Sequence, residues 1–118
     1  MTHTPWQQLL DSATAVPGVR GAVLVSVDDG LVIAESAMDH LATADVAALA
    51  SAIVQRACRV SAAAGHRTPH SVRVSGEAGT LMAFAADGLL WLVAVADPSA
   101  ELGRLRLLLG DLAASLRG

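Results

Sequence analysis

Residues Leu89 to Ala96, LLWLVAVA, are eight consecutive apolar positions held between Gly88 and Asp97-Pro98. The run is far shorter than the ~20 residues of a membrane-crossing helix. A strand apolar at every position is one covered on both faces, which requires helices on both sides of its sheet. The run is therefore predicted as the middle of a sheet inside a layered domain.

The neighbouring segments supply the rest of such a domain. Thr4-Pro5 reads as the N-cap and first position of a short helix, with Trp6, Leu9, Leu10 and Ala13 at helical spacing until Pro17-Gly18 ends it. GAVLVSVDDGLVIAES then holds two β-branched runs, Ala22 to Asp28 and Leu31 to Glu35. Asp29-Gly30 between them suits a type I′ hairpin turn. Thr43 to Ala64 contains neither Pro nor Gly and is predicted as a helix of about six turns, ended by Gly65. Its Val46, Leu49, Ala50, Ile53, Ala57, Val60 and Ala64 fall on one arc, predicted to face the core. The opposite side carries Ala48, Ser51, Ala52, Gln55, Arg59 and Ala62. Such a side is either a solvated face or a row of small side chains admitting a second helix at close range.

Three more strands follow: HSVRVSG, then Thr80 to Ala86, then Leu89 to Ala96, joined by a loop through Gly76 and Gly79 and by Asp87-Gly88. Asp97 and Pro98 suit the N-cap and first position of a last helix with Leu102, Leu105, Leu108, Leu109, Leu112 and Leu116 on its apolar stripe. Leu107 alone falls on that helix's polar side. The order αββαβββα implies an α+β fold, a three-layer sandwich with a five-stranded antiparallel sheet and helices on both faces. HSVRVSG alternates, Val72 and Val74 pointing one way and Ser71, Arg73 and Ser75 the other, as an edge strand does.

Composition narrows the function. A chain of 118 residues reads as a single domain over residues 1–118. Apolar residues make up 53% of it and charged residues 16%, so part of the apolar surface is expected to meet a partner. A net charge of -3 and the few aromatics Trp6, Phe84 and Trp91 argue against nucleic acid. MTHTPWQQLL has no signal-peptide pattern and Cys58 is the single cysteine, which together point to the cytoplasm, without membrane insertion. All eight basic residues are arginine, which removes both a phosphate-loop lysine and a Schiff-base lysine.

No catalytic constellation emerges. His66 and His70 have the spacing of half a zinc site, but with Cys58 they lack a Cys-x2-Cys partner and read as ordinary loop histidines. Turn formation accounts for Asp28, Asp29 and Asp87. Cys58 sits mid-helix beside Ala57 and reads as an inert thiol. The segments PGVRG and GEAG match neither a dinucleotide fingerprint nor a phosphate loop. The expectation is a domain without cofactor or metal that binds other proteins. A small-molecule sensor is the alternative, with Ala83, Ala85 and Ala94 leaving room for a pocket.

The element order, the Gly18 to Ala34 pattern Gly-x-x-Gly-Ala-x-Leu-Val … Asp-Gly-Leu-x-Ile-Ala with one extra residue before Asp29-Gly30, and DGLLWLVAVADPSAELGRLR resemble the roadblock domain family. The similarity spans about Trp6 to Leu116. It implies a homodimer in which His70, Ser71, Val72, Arg73, Val74 and Ser75 pair across a two-fold axis, with the long helices side by side. It further implies a small Ras-like GTPase as partner, regulated or scaffolded without catalysis by this chain, or activated with this chain as co-protein. The contact surface would be the helix side bearing Ala48, Ser51, Ala52, Gln55, Arg59 and Ala62. A proline at Val74 is expected to hinder interchain pairing more than an outer edge would feel it.

Overall fold

The computed structural model describes residues 5–37 and 41–117, so the cap expected of Thr4 lies outside the described residues. The elements are α1 (Pro5–Thr14), β1 (Val19–Ser26), β2 (Leu31–Ala37), α2 (Thr43–Ala63), β3 (Ser71–Gly76), β4 (Gly79–Ala85), β5 (Leu90–Ala96) and α3 (Leu102–Leu116). They build one five-stranded sheet in the order β2-β1-β5-β4-β3. Every neighbouring pair is antiparallel. The apolar run is the middle strand, as its lack of any polar side requires.

Alternation along the strands divides the core in two. Ala22, Leu24, Met82, Leu92 and Ala94 point to the face covered by α1 and α3, where Leu10, Ala13, Leu105 and Leu109 meet them. Val23, Val25, Ala83, Trp91 and Val93 point to the other face, against Ala47, Ala50 and Val54 of α2. Ala83 and Ala94 are fully buried, so their small side chains serve close packing, and Ala85 is half-buried. A methyl at Gly79, whose φ is +149°, would stand 2.3 Å from the Ala96 carbonyl oxygen. That glycine lets β4 start directly beside the end of β5.

Four local expectations are corrected. The β1–β2 connection spans 27–30, because Ser26 pairs with Leu31, and it closes through Gly30 N donating to Ser26 O at 2.8 Å. It is therefore longer than a two-residue type I′ turn. The extra residue at Asp28–Asp29 leaves room for Leu31 N to donate to Asp29 Oδ1, a local bond typical of aspartate in turns. In the β4–β5 turn, Leu90 N donates to Asp87 O, so Gly88 and Leu89 are the central pair and β5 starts one residue later than expected.

The last helix starts at Leu102, not at Pro98. Asp97 to Ala100 instead form a turn closed by Ala100 N donating to Asp97 O. The Asp97 amide donates to Gly18 O at 2.7 Å, its carboxylate lies 3.9 Å from Arg20, and Ala100 rests against Gly18. These contacts with the start of β1 hold the segment out of the helix.

The largest correction concerns α2. Its buried residues are Ala47, Ala50, Ser51 and Val54. On a helical wheel that face lies roughly 100° from the arc of large apolar residues expected to face the core. Leu49 is 66% exposed and Val60 68%. Small side chains let the helix close onto β1 and β2, and Ser51 Oγ and Gln55 Nε2 both donate to Val27 O in the β1–β2 loop. Those anchors set the rotation.

Candidate functional site

Strand β3 lies at one edge of the sheet and is exposed along almost its whole length. Its hydrogen-bonding polarity follows from one bond. Ala85 N donates to His70 O, and the register places His70 opposite Ala85, so these two form a hydrogen-bonded pair. Such pairs recur every second residue in an antiparallel ladder. Val72, Val74 and Gly76 therefore bond inward to β4, while the amides and carbonyls of Ser71, Arg73 and Ser75 point outward. A proline at Val74 would consequently damage the β3–β4 ladder, and the residue that tests outward pairing is Arg73.

The side chains of β3 divide by face. Val72 and Val74 stand on the α2 side, opposite Ala83 and Leu81. Val74, Leu81 and Val95 sit in register across β3, β4 and β5 and make one apolar row. Val74 is 45% exposed, and Leu81 and Val95 are half-buried. Backbone contact of α2 is mainly with β1 and β2, so the row is only partly covered, Leu81 packing against the cluster below α2 and Val74 standing open at the edge.

The orientation of α2 decides which of its flanks adjoins that row. Ala48, Ser51 and Gln55 abut the β1–β2 loop: Gly30 lies beside Ala48 and Ser51, and Val27 O holds both Ser51 and Gln55. On that same side Gln55 and Arg59 line a cleft with Leu89 and Trp91 at the start of β5, so it is this side that adjoins the β5 half of the face, and Leu49, Ile53 and Val60 lie on the other flank. Among the described residues, α2 is the one helix long and apolar enough by length and composition to cross a membrane, and much of that apolarity sits on this uncovered flank. The site is thus an open strand edge with an apolar row beside it.

The residues singled out in the sequence are only partly brought together. Ser71 to Ser75 form the edge, with His70 just before it and exposed. Ser51 is 4% exposed and cannot serve as contact surface, and Gln55 is engaged with Val27 O. Ala48, Arg59 and Ala62 are exposed and Ala52 is half-buried. Leu49 and Val60, which the apolar arc of the helix assigns to the core, are exposed. His66 and His70 are exposed, and no group of three or more metal-ligating side chains occurs among the described residues. A cleft of about 410 Å³ at the C-terminal half of α2 is lined by Val54, Gln55, Cys58, Arg59, Leu89 and Trp91, among others.

Known proteins share this architecture. A model of the family described as Roadblock/LC7 domain matches residues 6–96. A Roadblock/LC7 domain from Streptomyces avermitilis superposes with a TM-score of 0.83 at 25% identity, covering 94% of this chain and 93% of that one. MglB from Myxococcus xanthus gives a TM-score of 0.88 at 19% identity, over 99% of this chain and 95% of its own. The gliding protein MglB from Thermus thermophilus gives 0.86 at 20% identity, over 99% and 91%. No curated protein matches the sequence.

Proposed function

Because the chain belongs to the Roadblock/LC7 domain family, we propose that it is a dimeric protein-binding module that regulates or scaffolds a small Ras-like GTPase without catalysis of its own. The observation that carries this reading is an open β3 edge, unbulged and paired on one side only, beside a partly exposed apolar row. A second copy docked edge to edge would extend the sheet through Ser71, Arg73 and Ser75. It would also bring the rows of Val74, Leu81 and Val95 of the two copies onto one continuous sheet face.

The GTPase partner is inferred from family membership, since bacterial roadblock proteins include regulators of such GTPases. Its contact surface would be the outward ridge of the paired α2 helices, where Ala48, Ala52, Arg56 and Arg59 lie. With Ser51 buried, this replaces the surface expected from the sequence. We place the protein in the cytoplasm, in keeping with its single cysteine.

The test is an affinity capture from the source cell's lysate with excess GDP or a non-hydrolysable GTP analogue. Capture of a small GTPase mainly in the GTP-like state supports the reading, and absence of any GTPase in both states counts against it. The cleft beside Cys58 favours a second reading, a small-molecule sensor. Native mass spectrometry that retains no ligand would remove that alternative.

A further inference from the structure

Between Asp45 and Glu77 the chain has no carboxylate, yet it carries Arg56, Arg59, Arg67 and Arg73, in a protein of net charge -3. Positive charge is therefore concentrated on the second half of α2, the α2–β3 loop and β3. On the sheet face that carries α1 and α3, this basic stretch meets Arg106. Arg73 and Arg106 line one pit of about 110 Å³, together with Ser71, Met82 and Phe84. Among the described residues the ion pairs are Arg20 with Asp97 and Arg104 with Glu101, so neither arginine of the pit is neutralised. Arg73 Nε donates to Ser75 Oγ at 3.2 Å, which holds the guanidinium along the strand with its terminal nitrogens turned to no carboxylate. Glu77, the nearest carboxylate along the strand, lies four residues away, ~13 Å in an extended chain.

What a second copy does to this pit follows from the ladder. Antiparallel pairing about a two-fold axis through the outward groups must match odd residues with odd ones, because Ser71, Arg73 and Ser75 supply the outward bonds. Centring the axis on Arg73 pairs Ser71 with Ser75 of the other copy on both sides and uses every outward group. Moving the axis to Val72 or Val74 leaves Ser75 or Ser71 opposite a residue beyond the strand. The favoured register also sets Val72 against Val74, and it puts Arg73 opposite Arg73. Cα atoms of such a pair are ~5.5 Å apart, and like charges directly opposite oppose pairing.

We infer that pairing of β3 about the two-fold axis closes a phosphate-binding site built from Arg73 and Arg106 of both copies. The inference rests on the dimer proposed above. A phosphate group on the axis replaces repulsion between the two Arg73 guanidiniums with attraction, and guanidinium forks match phosphate oxygens bidentately. Arg106 closes each side from α3, and the Ser71 hydroxyls supply further donors. The phosphate then acts as a bridge between protomers.

The experiment is a dilution series of the full chain followed by sedimentation or light scattering, in chloride and in inorganic phosphate at equal pH and ionic strength. Phosphate is expected to lower the dimer dissociation constant by about tenfold. Arg73→Ser should dimerise at least as tightly as the parent in chloride and lose the phosphate response. Arg106→Ser should keep the chloride dimer and show a reduced response. Phenyl phosphate, run as a third arm, separates the sources: equal potency assigns the site to phosphate carried on an ester, and potency of inorganic phosphate alone assigns it to the free ion. A dimer indifferent to all three salts overturns the phosphate site and leaves the dimer standing. A phosphate effect undiminished in Arg73→Ser is general salting-out and overturns it equally. A chain monomeric in every salt overturns the dimer and the site together.

Discussion

The two edges of the sheet are built differently. At β2, Gln7 of α1 reaches across and its Nε2 donates to Glu35 O at 2.9 Å. The register skips Ile33 as β2 passes Leu24 and Val25 of β1, a bulge that twists the strand out of line. Thr43 of α2 donates to the Glu35 carboxylate, and Thr14 shares a hydrogen bond with Ser36. Helices thus fence β2 from both faces. At β3 the register with β4 is unbroken from Ser71 to Gly76, and no helix side chain is hydrogen-bonded to its backbone among the described residues. Bulges and covering groups are the ordinary protection against edge-to-edge association. They are used at β2 and missing at β3, which leaves β3 the edge that the proposed dimer would extend.

The comparison can be broken most severely with proline. Val74→Pro should cost the monomer about 2–3 kcal/mol by removing a ladder bond and stranding its acceptor on β4. Arg73→Pro should leave the unfolding free energy nearly unchanged and weaken dimerisation by about a hundredfold. Urea unfolding and a dilution series separate the two, and equal effects at both positions would refute the inward and outward alternation. Next in size, Val74→Glu should raise the dimer dissociation constant by at least about tenfold, since it puts a charge in the apolar row beside the edge. The same change should alter monomer stability by only about 0.5 kcal/mol, as befits an exposed position. A large loss of stability instead would place that row in the core.

Two smaller effects sharpen the picture. Ser51→Ala should cost about 1 kcal/mol in denaturant unfolding, since Gln55 still donates to the Val27 carbonyl. Gln7→Ala should cost about 0.5 kcal/mol and open β2. Size-exclusion chromatography should then show species larger than a dimer, and their absence would mean that the bulge at Ile33 guards β2 by itself.

Much of the architecture could be read from residue order alone. The all-apolar Leu89 to Ala96 demanded cover on two faces, and the alternation in HSVRVSG marked an edge, because both depend on a two-residue period that a sheet imposes locally. Element existence was legible for the same reason, and Gly65 and the segment Pro17-Gly18 ended their helices close to where expected. Boundaries failed where distant groups competed. Asp97 and Pro98 carry every mark of a helix start, yet the Gly18 carbonyl and Arg20 draw that segment into a turn.

The candidate site was half legible. The strand could be recognised, but the face of α2 that meets the sheet could not, and the reason is physical. A helical wheel reports where large apolar side chains cluster; it does not report which side can approach the sheet. α2 carries a small-residue sector of Ala47, Ala50, Ser51 and Val54, and a large-residue sector of Leu49, Ile53 and Val60. The covalent order decided the strands, the helices, the middle of the sheet and its alternating edge. Only the assembled fold decided the rotation of α2, because the Val27 carbonyl that anchors Ser51 and Gln55 lies in a loop more than twenty residues earlier. Only the fold, likewise, fenced one edge and left the other open.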